Sequence, residues 1–286
     1  MSRVAIAAAP ALFVLLWSTG FIGARFGLPY IEPLTFLAVR MIFVVLIMAL
    51  IAFIARARRP DATEIGHSLV AGSLVHGAYL GGVFVAISQG VPAGISALIP
   101  GLQPILTSTI ASRWMGETVT RTQWLGLVLG LAGVALVLHN REIVAAGSLI
   151  GWLASFLSLL GITLGTLYQK RYCASMDLRT GSVVQFAASL VVFATLALVF
   201  ETRVVEWTPS FAFALGWLVL VLSLGAISLL LVLIRRGAAA KVASLFYLVP
   251  PVTAVLGYLI FGERLGGAEL VGMAITVVGV YLVIRS

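Results

Sequence analysis

The chain predicts an all-α integral membrane protein, ten transmembrane helices folded as two inverted five-helix repeats. Composition is the first reason: 61% of the 286 residues are hydrophobic, 10% are charged, and mean hydropathy is +1.14. Too little polar surface remains to cover a soluble globule. Secondly, charges and turn residues divide the chain into apolar stretches close to the about 20 residues that a bilayer demands. Thirdly, a pattern returns at one offset. Pro104, Gly116, Glu117, Gly126 and Gly133 are followed 146 positions later by Pro250, Gly262, Glu263, Gly272 and Gly279, which marks a duplicated half-length unit. A unit with an odd number of spans enters the membrane in the opposite sense when repeated, hence the inverted arrangement.

The expected spans follow in order. The first covers residues 5–26. Arg3 and the small residues near Ala7 and Ala9 resemble a secretion signal, but the apolar run continues through Trp17 to full span length and is kept as structure. The second, residues 33–55, contains Arg40, and the third, residues 67–89, carries His76 and Tyr79 among Gly72, Gly77, Gly81 and Gly82. The fourth, residues 92–112, holds Pro100 and Pro104, and the fifth, residues 122–138, is punctuated by Gly126, Gly130 and Gly133. Residues 147–169, 181–200, 210–234, 238–261 and 267–284 supply the second set. The two units are residues 1–140 and 147–286, with short connections that leave no room for a soluble domain.

A net charge of +8 invites a nucleic-acid partner, but the basic residues are spread by topology rather than gathered in a patch. With the N-terminus in the cytoplasm, only Arg25, Arg141, Arg203 and Arg264 fall on the outer side, and Arg40 lies within a span. The remainder are cytoplasmic, so both termini are expected inside and no nucleic acid is expected to bind. The single Cys173 permits no internal disulfide and no cysteine metal site. No nucleotide-binding loop or metal cluster is evident, and no cofactor is expected.

A proline within the fourth span, a Gly-Glu pair closing it and glycines along the fifth, present in both halves, resemble the duplicated module of the EamA-type drug/metabolite transporter superfamily. Trp17, Arg40 and the span count extend the resemblance over essentially the whole chain. Length and layout are similar to bacterial amino-acid and metabolite exporters, including the aromatic-amino-acid exporter group. The resemblance implies a bacterial inner-membrane exporter and no enzyme.

Pro100 and Pro104, with Pro250 and Pro251, lack the N–H a helix needs and are expected to bend the fourth and ninth spans. Such bends either shape helix packing alone or form hinges beside a polar pathway. Glu117 and Glu263 suit helix capping or, less simply, ion coupling. On the fourth span Ser96, Pro100, Gln103 and Thr107 recur on one helical face and are expected to meet water or substrate. Ser244 and Tyr247 form a looser stripe on the ninth span.

His76 and Tyr79 are three residues apart and read as a recognition pair for a carboxylate or an amine, with a plain interhelical hydrogen bond as the competing role for His76. Trp17 lies too deep for an interfacial belt residue, whereas Trp152 and Trp217 suit one. Arg40, roughly 10 Å from the outer end of its span, either receives a substrate carboxylate or snorkels to helix-terminal carbonyls. No Asp or Glu is placed within any expected span, which favours substrate-driven export or exchange over obligate proton antiport. The expected function is export of small metabolites, amino acids foremost, by alternating access through a cavity between the halves. Export of drugs or nucleotide-type metabolites, or a small-solute channel, is the alternative.

Overall fold

A computed structural model describes residues 3–114, 116, 118–138, 147–236, 242, 245–262 and 266–285, and these are overwhelmingly helical. In chain order the helices are α1 (Arg3–Gly27), α2 (Pro33–Ile54), α3 (Ala62–Ser88), α4 (Ala93–Trp114) and α5 (Arg121–Leu138). They continue as α6 (Leu149–Tyr172), α7 (Leu178–Phe200), α8 (Pro209–Arg235), α9 (Leu245–Phe261) and α10 (Gly267–Arg285). Seven helices among the described residues, α1 to α4 and α6 to α8, are long and apolar enough to cross a membrane. Shorter apolar helices occupy the stretches of α9 and α10. Large apolar side chains face outward along them, Phe53, Leu149, Leu198 and Leu259 each being more than 60% exposed. A soluble protein would bury such residues; lipid solvates them.

Helix limits follow from local chemistry. Asp61 and Glu64 form a capping box at the start of α3, and Ser148, Asp177 and Thr208 cap α6, α7 and α8 by accepting from the first-turn amides. Pro33 and Pro209 occupy first helical positions, where the absent N–H is harmless. Gly262 stops α9 in the left-handed region at φ 66°, and Gly116, its counterpart at the 146-residue offset, has φ 69°. This conformation explains why the pattern repeats a glycine there. Glu117 and Glu263, beside them, lie outside the described residues.

Irregular turns also recur at that offset. A π-helical segment interrupts α3 at Ser73–Ala78 and α8 at Leu218–Ala226. A 3-10 turn interrupts α4 at Pro100–Leu102 and opens α9 at Leu245–Leu248. The proline bends expected from sequence are thereby relocated. Pro104 sits at the second position of the α-helical segment Gln103–Trp114, and Pro250 and Pro251 in the first turn of Val249–Phe261. At those positions proline starts a helix rather than breaking one. Pro100 alone lies within the break, and the two irregular turns meet, since a Cβ on Gly101 would stand 3.7 Å from the Phe246 carbonyl oxygen.

Two pairs of helices at corresponding positions pack against each other in antiparallel fashion. On α5 and α10, a Cβ on Gly126 would lie 2.5 Å from the Gly279 carbonyl, and one on Gly133 would lie 2.4 Å from that of Gly272. Only glycines permit such an approach. The α2 and α7 pair is likewise antiparallel, the start of α2 meeting the end of α7 through Glu201. The largest buried apolar cluster joins α1 to α4 and α6 to α9 around Phe13, Trp17, Phe36, Tyr79, Phe186 and Phe246.

Placement of acids needs one correction. Glu269 occupies the first turn of α10, inside an expected span, and Glu64 that of α3. Acidic residues therefore do enter helices, at their N-terminal ends, where the helix dipole favours them.

Candidate substrate site

The π turn in α3 sets the geometry of the site. One extra residue in that turn rotates Tyr79 and His76 onto different neighbours, so the expected recognition pair is not formed. Tyr79 faces α1, where its hydroxyl accepts from Trp17 Nε1 at 2.8 Å and the two rings stack at 5.8 Å. His76 faces α7 and stacks on Phe186 at 4.3 Å. Both residues are buried. Gln185 of α7 is the polar side chain that interacts with the imidazole, the interhelical partner that the competing role for His76 calls for.

Arg40 projects from α2 and is 1% exposed. It does not snorkel to helix-terminal carbonyls. Its Nε and Nη2 donate to the Ser223 hydroxyl at 3.1 and 2.9 Å, while Nη1 has no hydrogen-bond partner among the described residues. Ser223 and the lining Leu222 lie in the π turn of α8, and Tyr79 directly follows that of α3. The counterpart of Ser223 at the repeat offset is Gly77, and no spacing in the sequence singled the serine out.

Trp17, Arg40 and Tyr79 line one cavity with Phe21, Phe84 and Leu222. At about 20 Å³ it has room for roughly a single water. Phe13 and Phe246 extend the aromatic wall, their rings 5.1 and 5.2 Å from that of Trp17. Sequence reasoning missed Phe246 because the 3-10 turn at Leu245–Leu248 decides which residue of that stretch points inward. Its neighbour Tyr247 instead packs beneath α5, where a Cβ on Gly130 would meet its ring at 2.8 Å, and joins Leu127 and Val283. Tyr247 is therefore separated from the Trp17 cluster. Ser244 lies outside the described residues.

The expected stripe on α4 is buried rather than open to water. Gln103 donates to Thr166 Oγ1 at 2.9 Å on α6, and Ser96 and Thr107 are each 1% exposed. Their hydroxyls, with those of Thr163, Thr253 and Tyr247, have no hydrogen-bond partner among the described residues. Buried polar groups left unpaired are costly, so this seam through α4, α6 and α9 is a polar feature for which packing offers no reason. Trp217, expected in the interfacial belt, donates to Thr19 at 3.0 Å and ties α8 to α1.

Both ends of the bundle are fastened. At one end Glu201 accepts from the Leu34 and Thr35 amides at 2.7 and 2.6 Å and from the Thr35 hydroxyl at 2.7 Å. Glu32 reciprocates, accepting from the Thr202 amide and hydroxyl at 2.7 Å and from the Arg203 amide at 3.0 Å. Ile31 bridges to Val205 alongside. The Thr202 hydroxyl bond holds the Glu32 carboxyl below the usual carboxylate range. At the other end Arg235 donates to the Met176 carbonyl, and Arg171 to that of Trp114 at 2.6 Å. Asp177, held at about 2 chiefly by its bond with Arg179, caps α7 there, and burial pushes the nearby Cys173 thiol up to about 11.

The comparisons agree with this architecture. The family model described as the EamA-like transporter family matches residues 4–139 and again 149–285. An Escherichia coli protein named "Uncharacterized inner membrane transporter YedA" is 26% identical, over 96% of this chain and 89% of its own. Another from the same organism, named "Probable amino-acid metabolite efflux pump", is 24% identical over 95% and 92% of the two chains. A Streptantibioticus cattleyicolor protein named "Probable terminal-alkyne amino-acid exporter" is 27% identical over 96% and 91%. One solved crystal structure superposes with a TM-score of 0.76 over 98% of this chain and 96% of its own, at 20% identity, a likeness of fold.

Proposed function

This chain belongs to the EamA-like transporter family, and from that membership we propose that it exports small metabolites, amino acids foremost, across a bacterial inner membrane. It is a membrane transporter, not an enzyme. The observation that carries the substrate class is the enclosed Arg40, set beside Trp17 and Tyr79 in an otherwise apolar cavity. A charge in such a place is expensive and serves a ligand or a partner. Arg40 forms no ion pair among the described residues.

Ten spans form two inverted five-span halves, residues 1–140 and 147–286. The antiparallel packing of α5 on α10 and α2 on α7 supports this reading, because equivalent helices run in opposite directions only when one half is inverted. Both termini lie in the cytoplasm, following the basic residues. Under that topology the Glu32 and Glu201 contacts close the outer end.

Substrate must widen the cavity, which is far smaller than an amino acid in this conformation. Rocking of the halves about the 3-10 turns at Pro100–Leu102 and Leu245–Leu248, with Pro104, Pro250 and Pro251 stiffening the adjoining helix starts, exposes it alternately to each side. No carboxylate stands in the middle of a span to relay protons, so the substrate gradient drives export. Efflux from proteoliposomes preloaded with labelled amino acids, with and without a pH gradient, tests this. Selective, saturable loss that ignores the gradient is expected; no loss of any amino acid refutes the substrate class, and unsaturable flux refutes the carrier.

A further inference from the structure

The side chains lining the cavity beside Arg40 offer hydrogen-bond donors and, among the described residues, include no carboxylate or amide acceptor. Trp17 Nε1 occupies the Tyr79 oxygen, leaving the Tyr79 O–H free to donate. Arg40 occupies the Ser223 oxygen through two of its own groups, and Arg40 Nη1 has no hydrogen-bond partner among the described residues. Phe21, Leu80, Val83 and Phe84 complete an apolar wall. All ten acidic residues of the chain lie in connections or first helical turns by sequence, so none stands at the depth of Arg40.

From this we propose that the Arg40 site recognises a carboxylate on an apolar tail and does not require an amine, so that simple organic acids bind as amino acids do. The proposal rests on the transport reading above and narrows its substrate class. A buried guanidinium without a counter-ion is unfavourable, and a ligand carboxylate supplies the missing charge. The planar guanidinium fork suits that group. An ammonium entering the same cavity meets a positive charge of its own sign and finds only aromatic faces to hold it. The amine of an amino acid therefore adds little to binding.

A matched ligand series on purified protein in lipid nanodiscs tests the idea through the thermal unfolding midpoint. Leucine carries both groups, isocaproate keeps the carboxyl without the amine, isoamylamine keeps the amine without the carboxyl, and sodium chloride supplies an anion alone. Leucine and isocaproate are expected to raise the midpoint at comparable concentrations, with isoamylamine at least about 100-fold weaker, the scale of a lost buried charge partner. Arg40→Gln should weaken both acids by about 30-fold or more. Should that variant fail to fold, Ser223→Ala serves in its place, with weaker binding of both acids and the same rejection of the amine.

Isoamylamine binding as tightly as isocaproate, leucine binding where isocaproate does not, chloride stabilising as strongly as either acid, or no carboxylate binding at all would each overturn the proposal. Efflux measured in parallel separates the two claims. Leucine efflux without discrimination among the analogues overturns the carboxylate rule and leaves the exporter standing. Carboxylate binding with no efflux of any solute does the reverse.

Discussion

Glu201 holds the first turn of α2 through two backbone amides and the Thr35 hydroxyl, at 2.6 to 2.7 Å. Glu201→Ala removes all three bonds at once and leaves the amides at a helix start without a capping group. Loss of a cap costs about 0.5–2 kcal/mol, and hydrogen bonds to a charged group lie at the upper part of that scale. Taking about 2 kcal/mol, the equilibrium between closed and open forms of this end shifts by about 30-fold. Ile31, 5% exposed and bridged to Val205 beside the clamp, is a natural reporter. An Ile31→Cys variant would be labelled with a maleimide in the presence and absence of Glu201→Ala. The native Cys173 adds little background, being 1% exposed with its thiol pushed up to about 11 by burial. When opening is fast relative to labelling, the rate follows the open population, so it should rise by about 30-fold. Glu201→Gln keeps one carbonyl acceptor and should give a smaller rise. An unchanged rate in Glu201→Ala would refute the clamp, because the contact would then contribute nothing to keeping this end shut.

Other expectations follow from the same contacts. Gly126→Ala places a methyl 2.5 Å from the Gly279 carbonyl and should destabilise the protein by about 1–3 kcal/mol, read as a lowered unfolding midpoint in detergent. Trp17→Phe deletes the donor to Tyr79 while retaining a ring, and should lower transport in proteoliposomes without reducing membrane expression. Tyr79→Ala should do the same more severely, and full activity in both would sink the cavity assignment. Because the Asp177 carboxyl is held down to about 2 by Arg179, it stabilises the fold fully above the ordinary aspartate range and loses that contribution as pH falls from about 4 towards 2. Unfolding midpoints of wild type and Asp177→Asn should therefore differ at neutral pH and converge near pH 2; a gap that persists there would contradict the linkage.

Much of the architecture was legible in the residues themselves. Lipid as solvent forces every backbone group into helical hydrogen bonds, so apolar length alone locates most helices within a few residues. The repeated glycines were legible too: Gly116 and Gly262 mark left-handed turns, and Gly126, Gly133, Gly272 and Gly279 mark the closest helix approach. Trp17, Arg40 and Tyr79 stood out because depth makes polar and aromatic side chains conspicuous.

What the sequence could not supply was side-chain direction past an irregular turn. Helical periodicity assumes a constant rotation per residue, and the π turns of α3 and α8 and the 3-10 turns of α4 and α9 each break it. That is why Tyr79 and His76 part company, why Phe246 replaces Tyr247 against Trp17, and why the α4 stripe meets α6 instead of solvent. Ser223 is the clearest case. It is one serine in an apolar run, with nothing to distinguish it until the fold brings α8 across to Arg40. Composition and repetition determined that the chain is a bundle of membrane helices built from a duplicated unit. Only the tertiary structure decided which buried groups share a cavity, because that depends on rotations of one helix against another that no local pattern encodes.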